Sequence, residues 1–158
     1  MHRPILLLVP LSLLATALTA QAAPARLVEF GWDRPLVSWA RQHASQMDST
    51  PFAGVVLQFR SGTRFLTATP LDPATFAADS ADLVAFRVPG LTDNFVLVGT
   101  TPDSSWNWYD DSAWAVGLAN LARFARTARV GGLAGVFLDL EPYGFNPWRY
   151  DRQAGRSA

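Results

Sequence analysis

Four short apolar segments punctuate the chain, and each is rich in valine, leucine and phenylalanine. These segments are Leu27–Trp32, Gly54–Phe59, Asn94–Thr100 and Gly135–Leu140. Their hydrophobic residues follow one another almost continuously, instead of alternating with polar residues. This pattern is typical of strands that are buried on both faces of a parallel sheet. We therefore predict a strand in each segment.

The first two intervals between the predicted strands carry helical patterns. Pro35 suits the first turn of a helix that runs to about Met47. Asp72 and Pro73 offer an N-cap and a first helical residue for a second helix that runs to about Phe86.

The third interval carries the clearest helical pattern. Asp110 or Asp111 is suited to cap its start, and Gly131-Gly132 is suited to end it. Its apolar positions recur with helical spacing, which predicts one buried stripe. The predicted stripe consists of Trp114, Leu118, Leu121, Ala125 and Ala128.

The alternation of strands and helices predicts an α/β fold with right-handed crossovers and a parallel sheet. A whole (β/α)8 barrel needs about 200–250 residues, whereas about 135 residues follow the N-terminal apolar segment. The tail 145–158 is polar and shows no helix that would cover the fourth strand. We predict that residues 25–158 form the N-terminal half of a (β/α)8 barrel, truncated at its C-terminus. The alternative is a small doubly wound parallel sheet.

Residues 1–22 have the pattern of a secretory signal peptide. Arg3 precedes an apolar run from Ile5 to Leu18, and Ala20-Gln21-Ala22 forms a small-residue cleavage site. The alternative is an uncleaved anchor, but the run is short for a membrane span of about 20 residues. The sequence therefore predicts a secreted or periplasmic protein that has no membrane span after cleavage.

Composition narrows the function classes. Thirteen arginines, no lysines and thirteen acidic residues give a formal net charge of zero, which argues against nucleic-acid binding. The chain has no cysteine, which excludes disulfides and thiolate metal sites. Its two histidines are His2, within the signal segment, and His43, within a predicted helix. We expect no metal and no other cofactor, while the composition leaves the oligomeric state open.

Asp139 and Glu141 end the fourth predicted strand. Residues two apart on a strand point to the same side, so the two carboxylates project together from its C-terminal end. Functional residues of parallel α/β folds gather at that end. Because neighbouring acids repel, one of them keeps its proton to higher pH and can act as the general acid that glycosidic bond cleavage needs. The alternative is that these polar residues only mark where a buried strand reaches solvent.

The string AGVFLDLEPYG, residues 134–144, resembles the fourth strand of family 18 chitinases and related (β/α)8-barrel glycoside hydrolases. The resemblance implies that Glu141 is the catalytic acid and that Asp139 is the neighbour that steers the substrate. The fuller family pattern has two further aspartates, at the positions of Ala134 and Phe137 here. This departure favours a related, less characterised barrel family.

Further residues suit a carbohydrate site. Pyranose rings pack their C–H faces on aromatic rings, and polar side chains bind their hydroxyls. The predicted substrate-binding residues are Trp32, Asp33, Trp106, Asn107, Trp108, Tyr109 and Tyr143. The alternatives are helix capping for Asp33 and packing onto helix ends for the aromatic residues of the loop. Glu29, which has the same strand parity as Asp33, is expected to point inward below it.

These features together predict a glycoside hydrolase that acts on an extracytoplasmic polysaccharide or glycan by carboxylate general acid/base catalysis. The first alternative is a non-catalytic carbohydrate-binding protein built on a hydrolase-like barrel. The second is an exported structural or interaction domain without a sugar ligand.

Overall fold

The computed structural model describes residues 25–103 and 106–141, which contain four strands and four helices. In chain order the elements are β1 (Val28–Glu29), α1 (Val37–Gln42), α2 (Ala44–Met47), β2 (Gly54–Leu57), α3 (Pro73–Ala85), β3 (Phe95–Gly99), α4 (Asp111–Val130) and β4 (Gly135–Asp139). The predicted signal segment 1–22 and Tyr143 lie outside the described residues.

The four strands form one parallel sheet in the order β1-β2-β3-β4. Each strand therefore lies beside the strand that precedes it in the chain. The predicted α/β fold with a parallel sheet is confirmed. The described strands are shorter than the predicted ones, most of all β1, which keeps two residues of Leu27–Trp32.

One face of the sheet packs against the helices. Val55 and Leu57 of β2 join Val96 and Val98 of β3 in a single core with residues of α1, α3 and α4. Helix α3 contacts both α1 and α4, so these three helices form one layer. None of the described helices is long and apolar enough to cross a membrane.

The opposite face of the sheet is concave. The rings of Phe30, just after β1, and Phe137, on β4, lie 4.6 Å apart between centroids. On a flat sheet the two outer strands would be separated by three spacings, about 14 Å, with parallel side chains. The contact therefore requires a strongly curled sheet. Val56 and Leu97, which also point to this face, are 1% exposed.

Local capping explains where α3 and α4 begin. The Asp72 carboxylate accepts the Ala74 N–H at 2.9 Å, and Pro73 takes the first helical position. The Asp110 carboxylate accepts the Ser112 N–H at 2.8 Å. Both starts confirm the prediction, because capping needs only residues that are adjacent in the sequence.

The first predicted helix is interrupted. Its residues form α1 and α2, which are separated by His43 at φ −110° and ψ 18°. This backbone conformation lies outside the helical region, so His43 separates the two helices. The single helix predicted from Pro35 to Met47 is therefore wrong in its continuity.

The buried face of α4 also differs from the predicted stripe. Leu118 is 56% exposed, whereas Asn120 is 1% exposed. The Asn120 amide accepts the Leu71 N–H at 3.0 Å and donates to the Thr69 carbonyl at 3.2 Å. A polar residue therefore faces inward on α4 because the segment before α3 brings unpaired backbone groups to it.

A buried carboxylate fixes the chain as it leaves β2. Asp79 of α3 is fully buried and accepts the Arg60 backbone N–H at 2.9 Å and its guanidinium at 2.6 Å. Burial raises the pKa of Asp79, although the hydrogen bonds from Arg60 oppose the shift. The Arg60 guanidinium also binds Asp82, which pairs with Arg41 of α1 at 2.9 Å. The network ties the residues after β2 to two helices.

Candidate functional site

The carboxylates of Asp139 and Glu141 lie where the C-terminal ends of the strands converge. They line a pocket of about 300 Å³ together with residues that follow β1, namely Phe30, Gly31, Trp32 and Arg34. An adjoining hollow of about 270 Å³ shares Asp139, Glu141 and Arg34. Its other lining residues are Thr63, Arg64, Gly99 and Thr101. The curl of the sheet brings the first and fourth strands to one opening.

Asp139 forms hydrogen bonds with Thr100, the residue after β3, and with the main chain of Glu141. The Asp139 carbonyl accepts the N–H and the hydroxyl of Thr100, both at 3.1 Å. One carboxylate oxygen of Asp139 accepts the Glu141 N–H at 3.0 Å. This bond closes a local turn that sets the direction of the chain at Glu141. Asp139 therefore organises the strand end as well as facing the pocket.

The segment after β2 lies across the end of β3. The Gly99 N–H donates to the Thr63 carbonyl at 3.0 Å, and Arg64 forms a parallel bridge with Gly99. Gly62, at φ +81°, makes the turn that allows this path. A Cβ on Gly99 would lie 3.2 Å from the Thr63 hydroxyl, so the glycine permits the close approach.

Thr63 and Arg64 were not among the sequence-predicted site residues. The pair Ser61-Gly62 signals a turn in the sequence. That signal does not reveal which strand the following residues will meet.

Trp32, a predicted substrate-binding residue, lies just beyond the short strand β1. Its side chain is 83% exposed, and it lines the same pocket as Asp139 and Glu141. Arg34 is held nearby because the carbonyl of the next residue, Pro35, accepts the Gln58 N–H at 2.9 Å. The end of β1 therefore supplies both an aromatic face and a cation to the opening.

Asp33 lies in a different pocket. It lines that pocket together with Glu29 and Trp39, and it lines neither of the hollows that contain Asp139. Glu29 pairs in register with Val55, whose side chain belongs to the helix-facing core, so the expectation that Glu29 points inward is wrong. Partial burial and the charge of Asp33 raise the pKa of Glu29. Asp33, which the sequence predicted to bind the substrate, therefore lies apart from the two hollows that Asp139 and Glu141 line.

Trp106 is part of the core. It is 3% exposed and packs edge-on against Trp108 and Trp114, with ring centroids 6.2 and 5.2 Å away. A Cβ on Gly117 of α4 would lie 2.9 Å from the Trp106 ring, so the glycine makes room for it. The substrate contact predicted for Trp106 is wrong, because the side chain packs in the core and is almost fully shielded from solvent.

The neighbouring loop residues, Asn107, Trp108 and Tyr109, form local contacts around the buried Trp106. The Trp108 carbonyl accepts the Trp114 indole N–H at 2.9 Å, and the Asn107 side chain accepts the Tyr109 N–H at 3.0 Å. Tyr109 is 51% exposed. Neither hollow that contains Asp139 is lined by Asn107, Trp108 or Tyr109.

His43 has a structural environment. Its Nδ1 lies 2.8 Å from the Trp39 carbonyl oxygen, and its ring stacks on the Trp39 indole at 4.0 Å between centroids. Among residues 25–103 and 106–141, no group of three or more histidine, aspartate and glutamate side chains could hold a metal ion.

The opening between the strand ends thus combines two carboxylates, two guanidinium groups, two threonine hydroxyls and an exposed indole. Such a set can transfer a proton, bind sugar hydroxyls and stack on a pyranose ring. Neither a protein-family model, nor a curated protein, nor a solved structure matches this chain.

Proposed function

We propose that this protein is an exported glycoside hydrolase that acts on a polysaccharide or glycan. One observation carries the proposal. Asp139 and Glu141 line one pocket with the exposed Trp32, at the C-terminal ends of parallel strands. This is the end at which α/β barrels bear their active sites. Removal of residues 1–22 during export belongs to the same proposal.

Glu141 is the general acid/base in this proposal. It lies two residues beyond Asp139 and is more exposed, so a glycosidic oxygen in the pocket can reach it. Asp139 lies one pleat deeper, where it positions the substrate or stabilises the developing positive charge. A sugar with a 2-acetamido group would supply its own nucleophile, so no further carboxylate would have to attack.

The sheet is, in our proposal, the first half of a (β/α)8 barrel. Three observations support this. The first is that the strand order follows the sequence, and the second is that one layer contains α1, α3 and α4. The third is the contact between Phe30 and Phe137 across the concave face. The doubly wound alternative places helices on both faces of an open sheet. A crystal structure of the full protein with an open, two-sided sheet would overturn the barrel proposal.

A non-catalytic carbohydrate-binding protein is the second candidate. The bond from the Glu141 N–H to the Asp139 carboxylate favours it, because this bond gives Asp139 a structural role that needs no reaction. In this case the pocket would bind a sugar, and the acid pair would only contribute hydrogen bonds.

The test is a Glu141→Gln substitution in the full secreted protein, assayed for reducing-end release from a panel of polysaccharides. Loss of the transferable proton should lower turnover by about 10²–10⁴-fold, while binding to the same glycan persists. The matched control is Glu29→Gln, at the only other glutamate of the chain, which lies on the helix-facing side. Near wild-type turnover in Glu141→Gln would reject the catalytic role. Binding without turnover in the wild-type protein would favour the second candidate.

A further inference from the structure

Two arginines come from separate parts of the chain to the hollow that contains the acid pair. Arg34 follows β1, and Arg64 lies in the segment that crosses the end of β3. Both line the hollow together with Asp139 and Glu141. The Gln58 N–H donates to the Pro35 carbonyl and the Gly99 N–H donates to the Thr63 carbonyl, and these two bonds hold the backbones beside the arginines in place.

Arg34 and Arg64 differ in their ion pairing from three other arginines of the described residues. Within the described ranges, Arg26, Arg41 and Arg60 form ion pairs with aspartates at 2.6–2.9 Å. Over the same ranges, neither Arg34 nor Arg64 has a carboxylate oxygen within 4.0 Å, although two carboxylates line the same hollow. The hollow that these residues line has a volume of about 270 Å³, which is large enough for part of a sugar ring.

A neutral sugar would gain little from two guanidinium groups. A guanidinium binds a carboxylate through two parallel N–H···O bonds, and such charge-assisted bonds are stronger than bonds to neutral hydroxyls. The hydroxyls of Thr63 and Thr101 in the same hollow are suited to the hydroxyls of a pyranose.

We propose that the hollow binds a hexuronic acid residue of the glycan, with its carboxylate held by Arg34 and Arg64. The inference rests on the proposed glycosidase site, since it places this acidic sugar next to the bond that Glu141 would protonate. The substrate class is then an acidic polysaccharide. In such a chain an uronate neighbours the sugar that is cleaved.

The test is calorimetric titration of the full secreted protein with matched pairs of oligosaccharides. The acidic members are oligosaccharides of galacturonan, alginate and hyaluronan, and the neutral members are their carboxyl methyl esters. Chitooligosaccharides and inorganic sulfate are titrated alongside. We expect at least one acid form to bind about tenfold or more tightly than its ester, which corresponds to one charged hydrogen-bonded contact.

Arginine variants identify the site of that preference. Arg34→Gln and Arg64→Gln should each reduce the preference for the acid form by about tenfold. Arg126→Gln, an exposed arginine of α4 away from the hollow, makes the same change of charge and should leave the preference unchanged. Circular dichroism of each variant verifies that it is folded.

Five outcomes would overturn the inference, and the last of them would overturn the proposed function as well. In the first, esters bind as tightly as acids. In the second, the preference persists in both arginine variants. In the third, sulfate competes equally with the uronates, which would indicate a general anion site. In the fourth, only chitooligosaccharides bind, which would reject the uronate but leave the proposed glycosidase intact. If no carbohydrate binds at all, the proposed function fails together with this inference.

Discussion

The contact between Phe30 and Phe137 tests the curled sheet directly. Phe30 directly follows the first strand and Phe137 lies on the fourth, yet their rings lie 4.6 Å apart. Phe30→Leu and Phe137→Leu each remove a ring while keeping an apolar side chain of similar bulk. If the rings touch, the double variant should lose less stability than the sum of the two single losses.

The expected coupling follows from the geometry. An aromatic pair at this separation contributes about 0.5–1.5 kcal/mol beyond the burial of its area. Because Phe30 is 45% exposed, the lower half of that range applies, about 0.5–1 kcal/mol. On a flat sheet the side chains would be about 14 Å apart, and distant sites are additive to within about 0.3–0.5 kcal/mol.

The assay is urea unfolding of the wild-type protein, the two single variants and the double variant, followed by tryptophan fluorescence. Phe124 provides the control, since it stacks on Phe59 in the core on the other side of the sheet. The Phe30→Leu and Phe124→Leu substitutions should therefore be additive. A coupling between Phe30 and Phe137 that is no larger than this control would refute the curled sheet and the barrel proposal with it.

Three further predictions concern stability. Gly54→Ala would place a Cβ 2.0 Å from the Asp93 carbonyl oxygen, so we expect the free energy of unfolding to fall by about 3 kcal/mol or more. A variant with the soluble yield and the urea midpoint of the wild-type protein would contradict the close approach. Asp79→Asn replaces one of the two oxygens that accept from Arg60 with an N–H donor, so we expect the free energy of unfolding to fall by about 1–3 kcal/mol. An unchanged melting temperature would contradict the buried pair of Asp79 and Arg60. The raised pKa of Glu29 favours its protonated form in the folded state, so its contribution to stability is present below pH 4.5 and is lost as the pH rises through the raised pKa. The free energy of unfolding of wild type and of Glu29→Gln is measured at pH 4 and at pH 7. We expect the variant to be more stable relative to wild type at pH 7 than at pH 4. The same difference in stability at both pH values would contradict this prediction.

The sequence by itself determined the order of the strands and helices, although it did not separate α1 from α2. Asp72 and Asp110 cap α3 and α4 as the pattern predicted, because a cap needs only neighbouring residues. The run Gly135–Leu140 contains β4, so the sequence alone placed Asp139 and Glu141 at a strand end. Alternating strands and helices also implied the parallel sheet, since short crossovers leave few other topologies.

Only the tertiary structure decided which side chains meet. The inward turn of Trp106 depends on Gly117, and the separation of Asp33 from Asp139 depends on the register of β1 against β2. Arg64 reaches the acid pair because its segment crosses the end of β3. These contacts join residues that are far apart in the chain, and shifting a strand by one residue moves its side chains to the other face. Local patterns carry no information about such a shift, whereas packing of the whole sheet against its helices fixes it.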